Sequence, residues 1–293
     1  MKFPLWLAGA VLLLALGPAE AQENAWTQPR FAVFGEGKDW VVLNVRDLSL
    51  RRIRIPGPNS PQNVSTTSDG RWLVFTAYDE QAGNTLLFKW DGEPRSEPVR
   101  IGDSQGYHAD PVVSHEGTRV LFSHHPLAGG PPGQHGPKAT AQLYEVGLDG
   151  TGLKPLTAGQ GCHLGPTAPR GDQVYFIHTP CDGTRFLSFV DRTSGKTGGI
   201  GPKDESSASE PSLSPDGQRL LYTTRTLTQA TLKELHIKTG KAQSLSTFDY
   251  DTPKNRPHFA GRPGEFLYQN NGAVFLLKEG KARQVATLRG ETP

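Results

Sequence analysis

The chain has 293 residues, with 31 basic and 29 acidic side chains, a formal charge of +2, 34 glycines and 24 prolines. So even a balance argues against a nucleic-acid partner and against a funnel for acidic substrates. The glycines and prolines fall mostly between apolar runs, which favours many short strands joined by tight turns.

Lys2 supplies a positive start, residues 5–16 form an almost unbroken apolar run, and Ala19-Glu20-Ala21 is a small-x-small cleavage site. These are the marks of a secretory signal over residues 1–21, with a mature chain beginning at Gln22. A retained anchor is the alternative. The run is short for a membrane span. No later stretch is long and apolar enough for one, so no membrane span is expected after cleavage.

From there a unit recurs. The turns Thr67-Ser68-Asp69-Gly70, Ser114-His115-Glu116-Gly117, Ala168-Pro169-Arg170-Gly171, Ser214-Pro215-Asp216-Gly217 and Gly261-Arg262-Pro263-Gly264 each lead into an apolar pair plus an aromatic ring. With a weaker first copy, the rings are Phe34, Phe75, Phe122, Phe176, Tyr222 and Tyr268, spaced by 41, 47, 54, 46 and 46 residues. A period of this size marks a repeat architecture. Each copy reads as four short antiparallel strands. Residues 227–235, the best helical stretch, fit better as a hairpin loop followed by a strand. The first copy has little obvious first strand, which residues 24–29 are expected to supply.

Four-stranded sheets packed radially bury their apolar columns against neighbours and leave only short edges. The sequence therefore predicts an all-β, six-bladed propeller with four-stranded antiparallel blades and the aromatic column as inter-blade core. The expected blades are 23–60, 61–104, 105–158, 159–204, 205–248 and 249–293, in a single domain over 22–293. The alternative is a sandwich.

The run Ser214-Pro215-Asp216-Gly217-Gln218-Arg219-Leu220-Leu221-Tyr222, the strand Ala141 through Val146 with Asp149-Gly150, and Leu156-Thr157 resemble the TolB-type propeller repeat, also called the WD40-like or PD40 repeat. The resemblance covers about residues 30–288. About ten residues separate the cleavage site from the first strand, so the extra N-terminal domain of TolB itself is not expected. Related repeats precede the hydrolase domain of prolyl-oligopeptidase-like enzymes, but no Gly-x-Ser-x-Gly elbow occurs. No Cys-x-x-Cys-His haem motif, calcium loop or phosphate-cradling loop occurs either.

Cys162 lies before the first strand of the fourth copy and Cys181 after its second. Both loops leave on one face, so an exported chain is expected to join them in a disulfide, worth on the order of 3 kcal/mol. Two free thiols, or a reactive Cys162 beside His163, are the alternatives. Six of nine histidines fall on that same face in the third and fourth copies. His108 and His163 hold matching places before Pro111 and Pro166. His124, His125 and His178 end second strands, and His135 lies in the Pro- and Gly-rich loop 126–140. If first strands line the channel, His108 and His163 look across its mouth and are the candidate metal ligands, for zinc, manganese or copper. Asp110, His178 and Glu210 complete the candidate ligand-binding set. Solvated loop histidines are the plainer reading. Residues 203–209 read as a polar linker.

No catalytic residue is assigned and no cofactor is expected, a divalent metal being the exception to test. The expected function is a non-catalytic, exported, TolB-like scaffold in the bacterial envelope, periplasmic or secreted. It would bind an envelope or periplasmic protein, or a small ligand, at the channel face. The alternative is a metal-assisted lyase or hydrolase with a histidine site at the channel mouth. Propeller lyases on acidic sugars keep that alternative open by analogy of fold.

Overall fold

A computed structural model describes residues 30–36, 39–57, 61–102, 106–126, 140–180, 183–249 and 257–288. Among them no helix forms, and every strand pairing within a sheet is antiparallel. Six sheets follow one another in chain order. Blade 1 holds β1 (Phe31–Glu36), β2 (Asp39–Asn44) and β3 (Leu50–Arg54). Blade 2 holds β4 (Gln62–Thr66), β5 (Leu73–Asp79), β6 (Asn84–Trp90) and β7 (Val99–Arg100). Blade 3 holds β8 (Tyr107–Val113), β9 (Arg119–His125), β10 (Gln142–Gly147) and β11 (Lys154–Pro155). Blade 4 holds β12 (Cys162–Leu164), β13 (Gln173–Thr179), β14 (Phe186–Asp191) and β15 (Thr197–Gly199). Blade 5 holds β16 (Ser209–Leu213), β17 (Arg219–Arg225), β18 (Gln229–His236) and β19 (Lys241–Asp249). Blade 6 holds β20 (His258–Phe259), β21 (Glu265–Asn270), β22 (Ala273–Lys278) and β23 (Lys281–Thr287). The protein is a six-bladed β-propeller. Residues 24–29, expected as blade 1's first strand, lie outside the described residues.

The repeated turn explains the repeated sequence. Its first hydroxyl residue opens a β-turn closed by the glycine: Gly70 N–H donates to Thr67 O, Gly117 to Ser114 O and Gly217 to Ser214 O, each at 2.9 Å. These glycines sit at φ of 69–73°, where a side chain is strained. The hydroxyl then accepts from the start of the second strand. Trp72 N–H reaches Thr67 Oγ1 at 3.0 Å, Arg119 N–H reaches Ser114 Oγ at 3.1 Å and Arg219 N–H reaches Ser214 Oγ at 2.9 Å. In two copies an Asp caps the turn, with Arg71 N–H on Asp69 and Gln218 N–H on Asp216.

Side chains alternate across a sheet, so each second strand feeds two interfaces. Val74 joins the cluster between blades 2 and 3, whereas its neighbour Phe75 joins the one between blades 1 and 2. The aromatic column, Phe34 through Tyr268, is buried throughout and supplies one ring to each of six inter-blade clusters. Each such ring stabilises by about 1.5–3 kcal/mol. Ala32, Phe34 and Leu43 of blade 1 meet Leu267, Val274 and Leu288 of blade 6, closing the ring. Arg30 Nη2 adds a 2.7 Å hydrogen bond to Ala260 O across the same seam.

Residues 203–209 do more than link. Arg185 N–H donates to Ser206 O and Ala208 N–H to Arg185 O. Glu205 accepts from Tyr222 Oη at 2.7 Å and pairs with Lys233. The segment straps blade 4 to blade 5, its backbone bonded to Arg185 just before β14 and Glu205 holding two side chains of blade 5.

Candidate functional site: the central channel

An open channel of about 500 Å³ runs down the ring axis. The first strands border it with their edges, and β1 does so in blade 1. An edge presents backbone, whereas regular side chains point sideways into the neighbouring blades. Polar side chains therefore need a local device to reach the channel. The device here is a bulge.

Register slips between Gln62 and Ser65 in β4, between Ala109 and Val112 in β8, and between Ser209 and Ser212 in β16. At each slip one residue adopts a left-handed backbone: Asn63 at φ 49°, Asp110 at 50° and Glu210 at 53°. Gly165 takes the matching place in blade 4 at 56°. Bulges re-aim side chains and recur beside functional sites. A non-glycine residue in this region is strained unless its surroundings hold it there. Asn63, Asp110 and Glu210 all line the channel. Asn63 Nδ2 donates to Asp110 Oδ1 at 2.9 Å, and Arg225 pairs with Glu210 at 3.1 Å.

Of the five expected ligand-binding residues, Asp110 and Glu210 border the channel, whereas His108, His163 and His178 are not among its lining residues. His108 is 1% exposed and His163 5% exposed. Each packs at a tilt against rings of its own blade, His108 against Phe122 and His124 at 4.8 and 5.3 Å, His163 against Phe176 and His178 at 4.9 and 5.0 Å. Neither ring is thus placed in the lining of the channel itself. They stand in regular strand positions, cross-strand from His124 and His178, and regular positions face the blades. His163 Nδ1 is 2.8 Å from Thr157 Oγ1 of blade 3. Burial, then the charge of His178, pushes the His163 imidazole down to about 4, and burial lowers His178 too. Among the described residues no group of three or more His, Cys, Asp or Glu could hold a metal ion.

Cys162 pairs across the sheet with Thr179. Cys181, His135 and loop residues 127–139 lie outside the described residues.

The residues that sequence reasoning missed are mostly basic. Arg30, Arg170, Arg185 and Arg225 line the channel against two carboxylates, Asp110 and Glu210, with His115 and His258 besides. His115 and Arg170 belong to the repeated turns, and the Arg170 charge acts on both Arg30 and His115. Burial, then the Arg170 charge, pulls Arg30 down to about 10 against the opposing pull of Asp216. Burial and Arg170 lower His115, with Glu116 opposing and Arg30 adding. The one sequence signal for the bulges was the recurring pair Asp110-Pro111, Gly165-Pro166 and Glu210-Pro211.

No protein-family model matches the chain, and no curated protein sequence is significantly similar to it. Solved structures match its fold. TolB from Acinetobacter baumannii superposes with TM-score 0.62 at 14% identity over 89% of this chain. The chain spans 63% of that structure's length. A putative TolB from Agrobacterium tumefaciens gives TM-score 0.64 at 14% identity, covering 86% of this chain and 89% of that one. An oligogalacturonate lyase in complex with manganese gives 0.57 at 12% identity, covering 91% and 75%. Identities this low speak for the fold alone, and the fold of this chain is the six-bladed TolB-type propeller.

Proposed function

We propose that the protein is an exported, non-catalytic binding scaffold of the bacterial cell envelope, which holds a periplasmic protein or a small ligand in its central channel. In this reading residues 1–21 are a cleaved leader and residues 22–293 one propeller domain. The observation that carries it is the set of strained bulges. Three blades keep Asn63, Asp110 and Glu210 in a left-handed backbone while presenting them to the channel. Such strain costs on the order of 1–3 kcal/mol per residue, and a purely structural strand edge has no use for it. The likeness to TolB structures agrees with a protein-binding role. The lyase alternative has no assembled ligand set among the described residues to support it.

The test is capture from a native envelope extract by the wild-type protein and by the pair Asp110→Asn with Glu210→Gln. A bound species retained by the wild type and lost from a correctly folded variant is the expected result. Equal capture by both refutes the channel as the binding site.

A further inference from the structure

We propose that His163 and His178 of blade 4 form a two-imidazole chelate for a transition-metal ion, copper(II) or zinc(II). Neither residue lines the channel, so the site is separate from the scaffold reading. The two stand directly across the sheet from each other, with ring centroids 5.0 Å apart. Two imidazoles on one tetrahedral ion also stand about 5 Å apart, given metal–nitrogen bonds of about 2.0–2.1 Å. His163 is buried and His178 half-buried at the end of its strand.

The hydrogen bonds around His163 fix which nitrogen is available. Gln142 Nε2 donates to Gly159 O at 2.9 Å, which orients the amide and leaves Oε1 as an acceptor. Thr157 Oγ1 gives its single proton to that oxygen at 3.0 Å. The same Oγ1 can then only accept, from Leu143 N–H at 2.9 Å and from His163 Nδ1–H at 2.8 Å. The neutral imidazole is therefore the Nδ1–H tautomer, with the lone pair on Nε2. No described residue hydrogen-bonds to that Nε2 or to the His178 ring. An N–H held by an outer partner is how metal-ligating histidines are oriented, and burial keeps this ring neutral, as a ligand must be.

Gly161, at φ 89°, lets its loop lie against His178, where a Cβ would come 3.0 Å from the ring's Cε1. Blade 3 repeats the pattern. Gly106-Tyr107-His108 with Phe122-Ser123-His124 matches Gly161-Cys162-His163 with Phe176-Ile177-His178, and the His108 and His124 rings are 5.3 Å apart. The fold does not demand such pairs. Blade 5, aligned through Ser209↔Thr223 against Ala109↔Ser123, carries Ala208 and Thr224 in their place. Among the described residues no set of three His, Cys, Asp or Glu forms, so water or an incoming ligand fills the remaining positions of the ion. Imidazole suits copper and zinc, whereas manganese and magnesium favour oxygen ligands.

The experiment is calorimetric titration of the untagged, chelator-stripped full chain with copper(II), zinc(II) and manganese(II), joined to electron paramagnetic resonance of the copper form. Copper is expected to bind more tightly than zinc and manganese far more weakly than either. The copper spectrum should show coupling to imidazole nitrogens. His178→Phe keeps a ring against His163 and should weaken copper binding by at least about tenfold, whereas His124→Phe should leave the blade 4 ion in place. The assignment is overturned by a spectrum without imidazole nitrogen, by manganese bound as tightly as copper, or by unchanged affinity in His178→Phe. The spectrum is read on the wild-type chain, so the test stands even where a variant fails to fold. Asp110→Asn with Glu210→Gln should keep the metal while losing capture of an envelope species, which separates this site from the scaffold reading.

Discussion

Glu145 in β10 is 1% exposed, yet it is charged. Arg192 from blade 4 meets its Oε2 through Nη2 at 2.7 Å and through Nε at 2.9 Å. Arg119 and Lys154 stand 3.8 Å from Oε1. The pair therefore bolts blade 3 to blade 4 across 47 residues of chain. Removing one member of a buried pair usually costs about 3–5 kcal/mol, because the other is left without a counter-charge. The Arg192 side chain keeps 19% of its surface exposed, so water recovers part of that. Glu145→Leu should cost about 2–4 kcal/mol in urea unfolding. In the double variant with Arg192→Leu, part of the loss should return, giving a coupling of about 1–3 kcal/mol. A cost below about 0.5 kcal/mol, or strictly additive single changes, would show that the two blades do not depend on this contact.

His163 predicts a pH dependence. Its unfolded imidazole takes a proton near pH 6.5, whereas the folded one resists until about pH 4. The unfolded state thus binds more protons in that window, so stability is full above pH 6.5 and falls on acidification towards 4. At about 1.4 kcal/mol per pH unit the loss is at most about 3 kcal/mol, and denaturant midpoints at pH 7.5 and 5 should be closer together in His163→Phe. Glu210→Gly frees the left-handed backbone at φ 53° but takes the Glu210 charge away from Arg225 in a largely buried pair, with 14% and 23% of the two side chains exposed. It should cost about 1–3 kcal/mol net and abolish capture of the ligand, and a variant as stable as the wild type would show that the strain outweighs the pair. Ser214→Ala removes the hydroxyl that accepts from Arg219 N–H and should cost about 1 kcal/mol, readable as a lowered midpoint. Non-reducing peptide mapping of the protein purified under oxidising conditions should find Cys162 joined to Cys181, and free thiols at both would exclude the bridge.

The blade pattern was legible because it is local. A turn closed by glycine, opened by a hydroxyl in three of its five copies, and an alternating apolar strand carry their own instructions, and the rings from Phe34 to Tyr268 mark six such strands. Even the ambiguous stretch at 227–235 resolved as expected into a loop and β18. Asp110 and Glu210 entered as carboxylates that could join the histidines, and both line the channel. His108 and His163 were legible as matching blade positions, but strand position tells which end of a blade a residue occupies and not which way a sheet edge faces.

Local spacing in the chain thus suffices for the six sheets, their turns and the rings between them, since each depends on neighbours within a few residues. The channel is another matter. Its basic lining draws Arg30, His115, Arg170, Arg185 and Arg225 from five segments that no short-range pattern connects. They line one cavity because ring closure through Phe34, Leu267 and Leu288 brings the first blade against the last, and three bulges add Asn63, Asp110 and Glu210 to the same lining where a regular strand would have hidden them.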